Sequence, residues 1–127
     1  MTTDSKAVLV DSSGWIAAIG TGPKAPDFQR HIAGSEPLVM PTIVLYEVLK
    51  KLLLTAEKSV ADRFVSHALR QTVVPLDDLL AQQAAEISIR HQLPMADAII
   101  YATARAHSAE VVTSDTHFQG LPGVTLI

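Results

Sequence analysis

Four carboxylates stand out by their surroundings: Asp11, Glu47, Asp97 and Asp115. Asp11 ends the apolar run Ala7-Val8-Leu9-Val10 and is followed by Ser12 and Ser13; Asp115 follows Val111-Val112-Thr113-Ser114 in the same grammar. Asp97 comes just after Leu93-Pro94-Met95-Ala96, and Glu47 interrupts an apolar stretch that runs from Ile43 to Leu54. Taken singly, each has a structural explanation. Asp11 is a good N-cap, and Asp97 in a first helical turn gains ~0.3–1 kcal/mol from the macrodipole. Asp115 suits an Asx turn, and Glu47 has Lys51 four residues on as an ion-pair partner. Together they cannot converge as bare anions. Two carboxylates ~5 Å apart at an effective dielectric of ~20 repel by ~3 kcal/mol, so protons or a cation must relieve them. With no cysteine and no suitably spaced histidine pair, an all-oxygen site favours a hard dication, Mg²⁺ with Mn²⁺ as the alternative, over Zn²⁺ or Cu²⁺. Such an ion suits phosphodiester hydrolysis, because it polarises a phosphoryl oxygen, helps ionise an attacking water and stabilises the leaving oxygen. Ser12, Ser13 and Thr113 are then expected to orient the carboxylates or water around the ion.

Elements that could position these groups are readable in order. Four consecutive aliphatic residues, Ala7 to Val10, read as a strand buried on both faces, and Trp15, Ile16 and Ile19 give Ser12 to Ile19 a helical period ended by Gly20-Thr21-Gly22-Pro23. Met1 to Lys6 is polar and read as loose. Pro26 to Ala33 predicts a short helix, Gly34-Ser35-Glu36 a turn, and Pro37 to Met40 a second strand. Pro41-Thr42 opens a helix to about Thr55 that is apolar nearly all round, and so is expected to be buried. Further helices are predicted over Ala61 to Arg70, Leu79 to Arg90 and Met95 to Ala106, with strands at Thr72 to Val74, Glu110 to Thr113 and Val124 to Ile127. Strands alternating with helical patterns indicate an α/β fold, a three-layer α/β/α arrangement around a five-stranded, mainly parallel sheet. In such a sheet, ligands gather at the carboxyl ends of the strands.

The 127 residues are expected to form a single domain, 1–127. A net charge of −3 argues against a protein that holds nucleic acid by bulk electrostatics. It does not argue against a nuclease whose acidic pocket binds a cation that bridges to phosphate. No signal-peptide pattern and no apolar run approaching ~20 residues is present, so the chain reads as soluble and cytoplasmic. Trp15 reads as core rather than as a base-stacking platform, and His117 as a solvated loop residue. Lys50, Lys51, Lys58, Arg63 and Arg70 read as solvated helix faces, and Asp77 and Asp78 as helix initiators.

Four segments resemble the PIN-domain family, and within it the VapC-type toxins of toxin–antitoxin pairs. They are Val8-Leu9-Val10-Asp11-Ser12-Ser13, Pro41 to Val48, Leu93 to Ala104, and Val112-Thr113-Ser114-Asp115-Thr116-His117-Phe118. The resemblance implies a Mg²⁺-dependent endoribonuclease acting on structured RNA, with Asp11, Glu47, Asp97 and Asp115 as catalytic and metal-binding residues and Thr113 as the hydroxyl before the last Asp. It also implies a homodimer and a cognate antitoxin whose C-terminal segment lies across the acidic site. Alternative readings are a PIN-type RNA-processing nuclease without an antitoxin and a non-catalytic peptide- or RNA-binding module. A haloacid-dehalogenase-type phosphotransferase wants a second Asp where Ser13 stands, and a receiver domain wants an acidic pair and a late Lys that are missing.

Overall fold

The computed structural model describes residues 7–34 and 37–127; the polar N-terminal residues and the Ser35-Glu36 part of the predicted turn lie outside them. In chain order the elements are β1 (Ala7–Val10), α1 (Ser12–Ile19), α2 (Ala25–Ile32), β2 (Val39–Pro41), α3 (Thr42–Thr55), α4 (Lys58–Ala68) and β3 (Thr72–Val74). There follow α5 (Asp78–His91), α6 (Met95–Ala106), β4 (Ala109–Thr113), a 3-10 helix (Thr116–Phe118) and β5 (Val124–Leu126).

The strands pair in two ladders. β1, β4 and β5 form one, with β4 in the centre, and β2 and β3 form the other. A single parallel bridge, Val8 to Leu38, joins them, together with the Val8 amide donating to the Pro37 carbonyl at 3.1 Å. Every pairing is parallel, so the order across the whole sheet is β3-β2-β1-β4-β5 and all five carboxyl ends lie at one edge. The chain steps outward from β1 to β2 and β3, then returns on the other side of β1 as β4. This reversal makes the β1/β4 gap a topological switch point, where open α/β sheets place their ligands.

Successive strand residues point to opposite faces, and both members of the pairs Leu9/Val10 and Val111/Val112 are buried. Helices therefore cover both faces, giving three layers. Phe28, Phe118, Leu9, Met40 and Ile100 are the largest fully buried side chains. Trp15 is buried too, edge-on to Phe64 with ring centroids 5.4 Å apart, so it is core. Gly14 sets how closely α1 lies on β1 and α2: a Cβ there would fall 2.6 Å from Val10 Cγ1 and 2.7 Å from Phe28 Cε1.

Three expectations need correction. The second strand is Val39–Pro41, because the ladder to β3 runs Val39–Thr72, Met40–Val73, Pro41–Val74; Pro41 is the last residue of the strand, where a missing amide donor disrupts the ladder least. The helix expected from Ala61 begins at Lys58: its first two residues are exposed and give no apolar signal, but Lys58 pairs with Asp62 four residues on. Most informative is α3, which is not buried all round. Val44, Val48 and Leu52 face the core, but Tyr46, Leu53 and Leu54 are exposed, the last by 76%. No helix among the described residues is long and apolar enough to cross a membrane.

Candidate active site

The carboxyl edge of the β1/β4 gap collects the predicted acids through local chain geometry. Asp11 leaves β1 in extended conformation and caps α1, its Oδ1 accepting from the Gly14 amide at 2.9 Å. The Ser13 hydroxyl donates to the same carboxylate at 2.9 and 3.0 Å, and the Thr113 hydroxyl donates to Oδ2 at 2.6 Å. Thr113 also accepts the Asp115 amide at 2.9 Å. One buried hydroxyl at the end of β4 thus ties Asp11 on the neighbouring strand to the backbone of Asp115.

Asp97 sits in the first turn of α6, and its Oδ2 lies 3.0 Å from His117 Nδ1. The same nitrogen is 3.1 Å from Asp115 Oδ1. Asp97, Asp115 and His117 each offer a ligand atom within 4.8 Å of the others. Glu47 stands apart from this cluster. It joins the edge through Ser12, whose hydroxyl donates to Oε1 at 2.5 Å; among the described residues it makes no ion pair with Lys51. Of the three orienting hydroxyls, Ser13 and Thr113 touch Asp11 and Ser12 touches Glu47.

His117 is the residue that sequence reasoning underrated. Asp115 caps the 3-10 helix, its side chain accepting the His117 amide at 2.9 Å, and Phe118 is buried in the core. Those two anchors turn the intervening imidazole toward the acids. The Asp-x-His spacing was the available signal, but the turn that makes use of it depends on where Phe118 is buried.

Burial raises the carboxyl pKa of Asp11 more than the hydrogen bonds it accepts from Thr113, Gly14 and Ser13 lower it, and the Asp115 charge adds to the rise. Asp97 is pushed up to about 6, first by burial and then by the charge of Asp115. His117 is raised above the ordinary imidazole value, chiefly by Asp115. All three shifts have one sign for stability. A carboxyl whose folded value exceeds its unfolded one favours the folded state at low pH, and that contribution is lost as pH climbs through the folded value. The imidazolium contribution is complete below the unfolded value, ~6.5, and is lost as pH passes the raised one. In EDTA, Tm should therefore fall between pH 5 and pH 8, and excess divalent cation at pH 8 should restore it. Thermal unfolding across that range checks this; a Tm that does not fall contradicts the crowding of these groups.

The donor set is the cluster of Asp97, Asp115 and His117, with the Asp11 carboxylate tied to it through Thr113. Asp11 is 3% exposed, whereas the Asp97, Asp115 and His117 side chains are 15%, 29% and 59% exposed. Oxygen-rich sites of this kind fit a divalent cation that keeps waters for a substrate to replace.

Comparison with solved structures agrees on the architecture. The toxin–antitoxin complex from Klebsiella pneumoniae superposes with a TM-score of 0.80 at 24% identity, over 93% of this chain and 95% of that one. VapC20 of Mycobacterium tuberculosis, described as a sarcin-ricin loop cleaving toxin, gives 0.76 at 21% identity over 92% and 96%. DNA-bound VapBC from Salmonella typhimurium gives 0.73 at 19% over 96% of each chain. No match was found among curated proteins. The family model for the PIN domain matches residues 8–124, nearly the whole chain, and the protein belongs to the PIN domain family.

Proposed function

We propose that residues 1–127 form a single PIN domain that is a metal-dependent endoribonuclease, acting as the toxin of a toxin–antitoxin pair on structured RNA. One observation carries the reading: Asp97, Asp115 and, through Thr113, Asp11 converge on the sheet edge at the β1/β4 switch point. The site would take a divalent cation, Mg²⁺ or Mn²⁺, with Asp11, Asp97 and Asp115 to hold it and Glu47 completing the catalytic quartet. When bound, it neutralises the acids, polarises a phosphoryl oxygen and favours ionisation of an attacking water.

The chain's own groups do the positioning. Thr113 fixes Asp11 and Asp115 relative to each other, Ser13 and the Gly14 amide hold the Asp11 carboxylate, and Ser12 at the start of α1 holds Glu47 on α3. Thr113→Val keeps shape but removes a buried donor and acceptor. It is expected to cost ~1–3 kcal/mol in stability and ~10–100-fold in cleavage, read from urea midpoints and initial rates, while Thr113→Ser retains most of both.

An antitoxin and a homodimer fit two further features. The similar structures include toxin–antitoxin complexes. On α3, Tyr46, Leu49, Leu53 and Leu54 line an apolar surface depression of about 340 Å³, the kind of face a protein partner covers. The test is cleavage of a pool of structured host RNAs by purified protein, with Mg²⁺ and with EDTA. Metal-dependent cutting is expected, together with growth arrest on expression that co-expression of the neighbouring small gene product relieves. Cutting without arrest would indicate a processing nuclease, and well-folded protein that never cuts would indicate a binding module.

A further inference from the structure

His117 has two carboxylates on one ring nitrogen. Its Nδ1 lies 3.0 Å from Asp97 Oδ2 and 3.1 Å from Asp115 Oδ1. Two ligands at right angles around an ion, each ~2.1 Å from it, sit about 3.0 Å apart. The two distances from Nδ1 match the spacing of neighbouring ligands in an octahedral shell, and all three groups offer a ligand atom within 4.8 Å of one another. The ring is also held there: the Asp115 carboxylate accepts the His117 amide on one side, and fully buried Phe118 anchors the other. A solvated loop histidine has neither constraint.

We propose that His117 Nδ1 is a ligand of the cation held by Asp97 and Asp115, so that the site takes first-row transition-metal dications in preference to Mg²⁺. The proposal rests on the acidic edge being a cation site, and it changes the expected ion. Imidazole nitrogen suits the later first-row dications, whose affinity for such a site rises from Mn²⁺ through Fe²⁺ to Cu²⁺, while Mg²⁺ is suited by carboxylate and water oxygens; Mn²⁺, the weakest binder of that row, is the conservative probe. An all-carboxylate site would discriminate little between Mg²⁺ and Mn²⁺. Replacing one oxygen by nitrogen tilts the balance toward the transition metal without closing the positions that substrate needs.

Mn²⁺ is the probe. Binding to the purified protein is followed by loss of the aqueous Mn²⁺ EPR signal, and the ligand set by ¹⁴N coupling in pulsed EPR. Wild type should show nitrogen coupling that His117→Gln lacks. The variant's Mn²⁺ affinity should fall ~10–100-fold, while Mg²⁺ affinity, measured by competition, changes much less. Circular dichroism confirms the fold of each variant, and His117→Ala guards against a Gln oxygen taking the vacated position. Bound Mn²⁺ that needs Asp97 but shows no ¹⁴N coupling overturns the imidazole ligand and leaves the acidic site standing. Coupling that persists in both His117 variants assigns the nitrogen to another histidine and also overturns it. If wild type binds no Mn²⁺, or binds it as well with Asp97→Asn, the cation-site reading falls and the ligand with it.

Discussion

Asp97→Asn is expected to lower RNA cleavage by at least ~10²-fold while raising the thermal stability of the cation-free protein. The first effect follows from removing a charge the cation needs; even outer partners of metal ligands typically cost 10–100-fold when lost, so a direct ligand should cost no less. The second follows from the cost of ionising this group where it stands. Its pKa is pushed up to about 6 by burial and by Asp115, so above that pH the folded state carries an anion it would rather protonate. Asn fills the same volume, still offers an oxygen to His117, and carries no charge. The trade between activity and stability at a functional site then appears in one variant. Cleavage near the wild-type rate would remove Asp97 from the site, and a lower Tm in EDTA at pH 8 would contradict the electrostatic account.

Gly14→Ala is the substitution with the largest expected effect on folding. The added methyl would meet Val10 Cγ1 at 2.6 Å and the Phe28 ring at 2.7 and 2.8 Å. Neither neighbour can yield cheaply, because Phe28 is 0% and Val10 1% exposed. Overpacking of this kind costs typically ~1–3 kcal/mol, and the upper end is expected here. The helix could back away only by pulling the Gly14 amide from Asp11, which would disturb the site as well. The denaturant midpoint should drop, and Gly14→Ala combined with Phe28→Leu should recover part of the loss, since contacting residues couple. Additive losses in the double variant would place the strain elsewhere.

What could be read in the residues themselves was whatever depends on near neighbours. Ala7–Val10 and Ser12–Ile19 form as predicted because the apolar run, the cap and the terminating glycine are all local. Met95–Ala106 does too, with Asp97 in its first turn. The parallel α/β architecture follows from the alternation. Legibility ended where distant parts of the chain decide. Apolar residues around α3 reveal what could be buried, not what is on hand to bury it, so Leu53 and Leu54 were wrongly assigned to the interior. The Ser12–Glu47 hydrogen bond joins residues 35 apart in sequence, and local periodicity carries no trace of it. His117 looked like a loop residue because its place depends on Phe118 finding the core.

The join between the two ladders has a consequence for motion. β1 and β4 share a continuous register of four residue pairs, whereas β1 meets β2 at one bridge. Partial opening of a protein starts where the fewest hydrogen bonds must break together. In this sheet that line runs between β1 and β2, and it separates the elements bearing Asp11 and Asp115 from the helix bearing Glu47. The Ser12–Glu47 hydrogen bond is a latch across that line. Opening along that line would carry Glu47 away from Asp11 and Asp115 while both ladders stayed intact, with the packing of α3 on α1 and α6 opposing it.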